Sequence, residues 1–153
     1  MPLRLALYQP DIPQNTGTLL RLGACLDIPV DIIEPCGFVW SEKQMRRAGM
    51  DYLKDVQFTR HINWDAFVSK LEGRLILLTT KTDQSHIETA YQPGDTLLLG
   101  RESAGVPDEV HARADQRVTI PMAPDQRSLN VAVAGAMVLS EALRQTNGFP
   151  SSQ

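Results

Sequence analysis

Short apolar runs that alternate with helix-like segments are the feature that most constrains this fold. The runs span residues 3–8, 30–34, 75–78 and 96–100, and proline, glycine or aspartate stands beside most of them. Strands that are buried on both faces of a parallel sheet have this continuous apolar character. The alternation therefore predicts an α/β fold, with a mostly parallel sheet covered by helices on both faces.

The remaining elements follow from periodicity and from cap residues. We expect helices over residues 15–26, 41–49, 63–71, 108–113 and 129–145, and short strands over 56–59 and 118–121. Asn63 is the expected cap of its helix, and Asn15 is expected to cap the first helix. A polar loop should cover 122–128. Residues 1–153 read as one domain without repeats or linkers, with a frayed tail over 147–153.

Charge and composition exclude several classes of protein. The net charge of −3 argues against a protein that coats nucleic acid along its whole surface. A local basic cluster nevertheless includes Lys43, Arg46 and Arg47, and it is either a binding patch or a solvated helix face. No signal-peptide pattern and no run of about 18 apolar residues occurs, so we expect a cytoplasmic protein outside the membrane.

Three predicted strand ends could form one ligand pocket. The segments 78–80, 100–102 and 120–122 follow buried strands, and ligands of open α/β sheets bind beyond such carboxyl ends. Gly100 would let a ligand approach the backbone, while Leu78, Ile120 and Met122 would supply apolar walls. The alternatives are a nucleotide-like ligand or plain loops.

Other ligand classes lack their sequence signals. The chain contains no Gly-x-Gly-x-x-Gly after its first strand, no phosphate-binding P-loop and no Gly-x-Ser-x-Gly motif. Its three histidines and two cysteines have no metal-ligand spacing, so we expect no metal and two free thiols. A nicotinamide-dependent enzyme is disfavoured because the chain lacks the glycine fingerprint after its first strand.

The last predicted helix has almost no polar face over residues 129–139. Small residues, including Ala132, Gly135 and Ala136, would let other backbones come close to it. A helix that is apolar on all sides must be buried on nearly all sides. Either a second subunit covers this helix or the same chain does.

Three ordered motifs resemble a known family of RNA-modifying enzymes. They are Asn15-Thr16-Gly17-x-x-x-Arg21, the segment 97–107, and the segment from 120–122 through 127–131. Together they resemble the SpoU branch of the SPOUT methyltransferases. The flanking segments 7–13, 33–38 and 46–52 resemble the TrmL (YibK-like) subfamily, and the similarity covers nearly the whole chain.

The resemblance implies both a fold and an activity. It implies a trefoil knot in the C-terminal half and a homodimer built through the first and last helices. It also implies transfer of a methyl group from S-adenosylmethionine, without a metal, to the ribose 2′-OH of the wobble cytidine or uridine in the anticodon loop of leucine tRNAs. The alternatives are another tRNA or rRNA nucleotide as the target, or a catalytically silent RNA-binding dimer.

The resemblance also assigns site residues by position. For the cofactor, and its product S-adenosylhomocysteine, it implies Leu78, Thr79, Gly100, Ile120, Met122, Ser128 and Leu129. For catalysis it implies Arg21 at the acceptor ribose, with Asn15, Glu102 and Asn130 as polar motif positions. RNA contacts are expected from Lys43, Arg46, Arg47, Arg60 and Arg127.

Several of these assignments keep an alternative reading. Glu102 could instead form an ion pair with Arg101 or another basic side chain, and Asn130 could simply cap the last helix. The chain departs from the family pattern at Thr18, Ala104 and Ala132, and Arg101 adds a positive charge beside the pocket.

Overall fold

Six parallel strands form one sheet in the computed structural model, which describes residues 1–41, 43 and 53–151. The strands are β1 (Arg4–Tyr8), β2 (Val30–Ile33), β3 (Phe58–His61), β4 (Leu75–Leu78), β5 (Thr96–Leu99) and β6 (Gln116–Val118). Their order across the sheet is β3-β2-β1-β5-β4-β6. Every pair of neighbours is parallel, so the predicted α/β class is confirmed.

Four α-helices and one short 3-10 helix (Leu53–Asp55) are described, and the bounds of several α-helices differ from prediction. The α-helices are α1 (Pro13–Leu26), α2 (Trp64–Ser69), α3 (Asp108–Arg113) and α4 (Val131–Thr146). Asn63 caps α2 as predicted, because its Oδ1 accepts from the N–H of Ala66 at 2.8 Å. Of the predicted basic helix over 41–49, all residues except Ser41 and Lys43 lie outside the described part of the chain.

The first helix begins two residues earlier than predicted, at Pro13. Proline suits the first helical turn because its missing N–H would have no partner there. Ile12 occupies the cap position. The prediction that Asn15 caps this helix is therefore wrong, because Asn15 lies inside the first turn.

Two strands were predicted at slightly wrong positions. The third strand covers Phe58–His61 rather than 56–59, and Val56 is buried in the core just before it. The last strand covers Gln116–Val118 rather than 118–121. Its first two residues are polar, and the Arg117 guanidinium donates to the carbonyls of His111, Ala112 and Ala114 at the end of α3. Polar residues at a sheet edge lack the apolar run from which strands were predicted.

Helices cover both faces of the sheet, and the strand residues alternate between them. Leu97 and Leu99 pack in the cluster that contains buried residues of α1 and α4. Leu98 packs on the other face in the cluster that contains Phe67 of α2 and Val110 of α3. This arrangement confirms the predicted layers.

The last helix is buried on one face by its own chain. Its buried residues are Ala132, Gly135, Val138, Leu139, Ala142 and Leu143. A Cβ atom on Gly135 would lie 2.8 Å from Leu99 Cδ1 and 3.1 Å from Leu19 Cδ2, so this helix packs closely on β5 and α1. Its other face leaves Val133 49% and Met137 41% exposed. Burial within the chain thus accounts for only part of its apolar character.

The carboxyl end of the last helix agrees with a simple capping rule. The helix ends at Thr146, the following Asn147 has a left-handed backbone, and the N–H of Gly148 donates to the carbonyl of Leu143. Residues 147–151 are exposed. None of the described helices is long and apolar enough to cross a bilayer.

Candidate functional site

One cavity of about 720 Å³ lies at the carboxyl ends of β4, β5 and β6. All three strand ends named from the sequence contribute to its lining. Its volume lies within the range of roughly 300–1,000 Å³ that is usual for small-molecule sites. The predicted site residues in its lining are Asn15, Leu78, Thr79, Gly100, Glu102, Ile120, Met122, Ser128, Leu129 and Asn130.

The walls combine an apolar surface with polar groups at its margin. Leu78, Ile120 and Val131 are apolar wall residues, and Thr79 and Ser128 add hydroxyl groups. Such a lining fits a purine ring joined to a polar ribose and an amino-acid chain. Sequence reasoning missed Leu99, Val131 and Ala134, because the residues of β5 and α4 that face the cavity cannot be chosen before the packing is known.

Gly100 accommodates the chain's own backbone. A Cβ atom on Gly100 would lie 2.9 Å from the Cα of Gly105. The loop 101–105 closes on itself through Arg101 N–H to Gly105 O at 3.0 Å and Gly105 N–H to Arg101 O at 2.8 Å. Gly105 has a φ of +64°, which favours glycine. The loop thus fills the side of Gly100 on which a Cβ atom would stand, while Gly100 still lines the cavity.

Glu102 joins the loop 101–105 to the start of α1. Its Oε2 accepts hydrogen bonds from the N–H groups of Asp11 and Ile12, both at 3.1 Å. The alternative of an ion pair between Glu102 and Arg101 is wrong, because the Arg101 guanidinium donates instead to the side chain of Gln9. An acidic group at the start of a helix also interacts favourably with the helix dipole.

The carboxyl groups of Asp11 and Glu102 influence each other. Burial raises the pKa of Glu102, and its hydrogen bond with Asp11 raises that pKa further. The hydrogen bond with Glu102, followed by one from the Ser103 hydroxyl, lowers the pKa of Asp11. Glu102 is therefore the group of this pair that keeps a proton more readily.

Asn130 caps the last helix and also contacts the first. Its Oδ1 accepts from the N–H of Ala132 at 2.8 Å and of Val133 at 3.2 Å. Its Nδ2 donates to Asn15 Oδ1 at 3.0 Å. The cap predicted for Asn130 is confirmed. The bridge to Asn15 could not be predicted, because the two residues lie 115 positions apart in the chain.

Arg21 lies on the solvent side of α1. It shares this exposed stripe with Gln14, Thr18 and Cys25, at helical spacing. Arg21 is not among the described residues that line the cavity, although Asn15 of the same helix is. An arginine on this stripe faces away from the core of its own chain.

The predicted RNA-binding residues are spread over different elements. Lys43 and Arg127 are exposed. Arg60 on β3 pairs with Glu34 at 2.6 Å and lies over the ring of Trp40, at 4.9 Å from its centroid. Arg46 and Arg47 lie outside the described residues. Of this set, Arg127 is adjacent in sequence to cavity residue Ser128.

Two known proteins are similar to this chain along nearly its whole length. A tRNA (cytidine(34)-2'-O)-methyltransferase from Beijerinckia indica subsp. indica is 59% identical over 148 residues, covering 95% of this chain and 92% of that protein. A structure described as giving structural insights into the 2-OH methylation of C/U34 on tRNA superposes with a TM-score of 0.87 at 41% identity, covering 94% of this chain and 95% of that one.

A more distant structure shares the fold. It is the SpoU methyltransferase AviRb from Streptomyces viridochromogenes in complex with AdoMet, with a TM-score of 0.80 at 23% identity, covering 94% of this chain and 60% of that one. Residues 2–140 also match the profile of the SpoU rRNA Methylase family. The resemblance found in the three motifs is confirmed. Since the match takes in every strand and most of α4, the chain belongs to the SpoU rRNA Methylase family.

Proposed function

We propose that this chain transfers a methyl group from S-adenosylmethionine to the ribose 2′-OH of nucleotide 34, a cytidine or uridine, in the anticodon loop of tRNA. Leucine isoacceptors are the expected substrates, and such a substrate places the activity in the cytoplasm. The main observation that supports this proposal is the cavity at three strand ends. It occurs in a chain that is similar along nearly its whole length to proteins that methylate this position.

The cavity lining suits the cofactor. Leu78, Ile120 and Leu129 would pack against the purine ring, while Thr79 and Ser128 offer hydroxyl groups to the ribose and the amino-acid chain. Bound there, the cofactor supplies an electrophilic sulfonium methyl group. The role of the walls is to fix the acceptor oxygen in line with that methyl group and to exclude water.

Arg21 is the proposed catalytic residue on the RNA side. A ribose hydroxyl is a very weak acid, so its deprotonation needs help from nearby groups. A guanidinium group stays protonated at neutral pH and is a poor base. We therefore assign Arg21 to bind a neighbouring phosphate and to stabilise the negative charge that develops on the ribose oxygen.

A second copy of the chain would bring Arg21 to the cavity. The exposed face formed by α1 and α4 carries Ile12, Leu129, Val133 and Met137, each at least 40% exposed. We propose that two chains dimerise through this apolar face. A dimer of this kind would carry Arg21 of one chain toward the cavity of the other. Sedimentation of the Val133→Glu variant tests this, because a charge there should produce monomers.

A trefoil knot in the C-terminal half is a further part of the proposal for this single SPOUT domain. After β6 at the sheet edge, the chain returns past β4 to pack α4 against α1 and β5. On the way, Thr119 pairs with Ser85 of the long loop that follows β4. Knots are essentially absent from folds in general. A crystal structure whose trace closes without a knot would overturn this part.

The basic residues Lys43, Arg46, Arg47, Arg60 and Arg127 are the proposed phosphate contacts. The double variant Arg46→Glu, Arg47→Glu should weaken tRNA binding and leave binding of S-adenosylhomocysteine unchanged. Arg113→Glu is a matched control, because Arg113 is an exposed arginine of α3. Equal loss of both ligands in the double variant would assign residues 46 and 47 a structural role.

The decisive experiment is mass spectrometry of nucleosides and of nuclease fragments of tRNA from a deletion strain after incubation with the protein and S-adenosylmethionine. We expect 2′-O-methylcytidine or 2′-O-methyluridine at position 34. Methylation at another nucleotide would refute the assigned target. Isothermal titration with S-adenosylhomocysteine separates an enzyme from a silent RNA-binding dimer, since a silent module need not bind it.

A further inference from the structure

Arg101 is held at the cavity by neutral partners. It lies two residues after the end of β5, lines the cavity, and donates from Nη2 to Oε1 of Gln9. Its guanidinium carbon lies 5.8 Å from the ring centroid of Tyr8. An amide oxygen and an aromatic face orient a guanidinium group without cancelling its charge.

The backbone of Gln9 is shaped for this contact. Gln9 has a φ of 43°, in the left-handed region that residues other than glycine rarely adopt. Its N–H donates to the carbonyl of Ile33 at 2.8 Å, which fixes the residue at the end of β1. Backbone strain of this kind persists where the surroundings enforce it, and it is concentrated at functional sites.

Two other half-buried arginines of the described chain are neutralised by carboxylates, whereas Arg117 donates to backbone carbonyls. Arg4 pairs with Asp31 at 2.9 Å, and Arg74 pairs with Asp95 at 2.8 Å. The carboxylate adjacent to Arg101 in sequence, Glu102, accepts instead from backbone N–H groups. The positive charge of Arg101 is therefore available to an anion. The cavity lining also contains the basic residues Lys81 and His111 and the acidic residue Asp108.

The direction of the side chain indicates which anion it binds. The apolar walls come from β4, β6 and α4, whereas the contacts with Tyr8 and Gln9 draw the Arg101 guanidinium toward β1, on the other side of β5. Arg101 thus points away from the walls assigned to the cofactor.

We propose that Arg101 binds a backbone phosphate of the RNA beside the ribose that is methylated. This inference rests on the proposed function and adds a substrate-binding residue to it. A guanidinium group matches two phosphate oxygens with two parallel N–H donors, which a lysine cannot do. The site would thereby select a phosphodiester chain over a free nucleoside.

The test compares three variants with the wild type, using tRNA and S-adenosylhomocysteine as separate ligands. Arg101→Gln should raise the Kd for tRNA roughly tenfold or more and lower the slope of log Kd against log salt by about 0.7. Arg101→Lys should keep the salt slope but not the full affinity. Gln9→Asn tolerates the left-handed backbone yet is too short to hold the guanidinium, so it should weaken tRNA binding with an unchanged salt slope.

Arg113→Gln is the matched control and should change the Kd of neither ligand. Unchanged tRNA affinity and salt slope in Arg101→Gln would overturn the inference. So would a weakening confined to S-adenosylhomocysteine, which would assign Arg101 to the cofactor carboxylate. If Arg101→Gln weakens tRNA binding as expected but the wild-type protein does not methylate nucleotide 34, the proposed function alone is refuted. A wild-type protein that binds no tRNA would refute both.

Discussion

The side chains of Asn130 and Asn15 join the first turns of α4 and α1 through one hydrogen bond of 3.0 Å. The same Asn130 side chain caps α4 with its oxygen and bridges with its nitrogen. Because both residues line the cavity, this bond fixes the separation of two helices at the mouth of the site.

Substitutions at Asn130 should separate the two roles. Asn130→Ala removes the cap and the bridge, and should cost ~1 kcal/mol of unfolding free energy. Asn130→Asp keeps the capping oxygen but loses the donor to Asn15, so its stability should stay close to wild type. Urea unfolding at one fixed protein concentration measures both. Asn15→Ala is the control for the bridge, and a loss as large as that of Asn130→Ala would contradict this division.

The carboxyl pair of Glu102 and Asp11 should make stability depend on pH. The pKa of Glu102 is raised above its ordinary 4.5, mainly by burial. Its contribution to stability is therefore fully present below about pH 4.5 and declines as the pH rises through the folded-state pKa. Because glutamine resembles the protonated carboxyl group, the Tm of the wild type should fall relative to that of Glu102→Gln as the pH rises over that interval.

The contribution of Asp11 to stability changes with pH in the opposite direction. Its pKa is lowered, first by the hydrogen bond with Glu102, so its contribution is present above its ordinary 3.8 and is lost as the pH falls through the folded-state value. Thermal unfolding of Asp11→Asn across the acid range measures this contribution. A Tm difference from wild type that does not vary with pH in either variant would show that the pair does not titrate as described.

Arg21→Ala should leave the dimer and cofactor binding intact and reduce turnover by roughly 100-fold or more, as expected when a group that stabilises developing charge is removed. Sedimentation, titration with S-adenosylhomocysteine and single-turnover methylation measure the three properties. Unchanged turnover would remove Arg21 from the mechanism.

Mixed dimers test which subunit supplies Arg21. Ser128→Trp should block the cavity, since Ser128 is an exposed lining residue. If Arg21 acts across the interface, a dimer of one Arg21→Ala chain and one Ser128→Trp chain retains one complete site. Such mixtures should recover activity that neither variant has alone. No recovery would place Arg21 in the site of its own chain.

The sequence was sufficient for the parts of the fold that depend on local pattern. Continuous apolar runs located β1, β2, β4 and β5 within one or two residues, since burial on both sheet faces demands such runs. The edge strand β6 was misplaced because its polar Arg117 gains partners at the end of α3, which no local pattern reveals.

Within the site, residues at strand ends could be predicted, and contacts between distant segments could not. Leu78 and Ile120 follow from their strands, so they were expected in the cavity lining. The bonds from Glu102 to the start of α1 and from Asn130 to Asn15 depend on how loops meet in space. Gly100 illustrates the limit, since its position in the lining could be predicted but its contact with Gly105 could not.

Gly135→Ala should destabilise the protein. The added methyl group would lie 2.8 Å from Leu99 Cδ1 and 3.1 Å from Leu19 Cδ2, and each of these leucines is only 1% exposed. Overpacking typically costs ~1–3 kcal/mol, against at most about 1 kcal/mol gained from helix propensity. Ser140→Ala, at an exposed position of the same helix, is the control. A stabilised Gly135→Ala would mean that Leu99 can move aside.

The cavity draws its walls from residues as far apart in the chain as Ile12 and Ala134. Translation delivers these walls in order, and the strands supplied first lack the helix that closes the pocket. If the cavity holds the cofactor as proposed, a nascent polypeptide has no cofactor site until α4 has left the ribosome, and truncated products of synthesis would hold neither methyl donor nor activity.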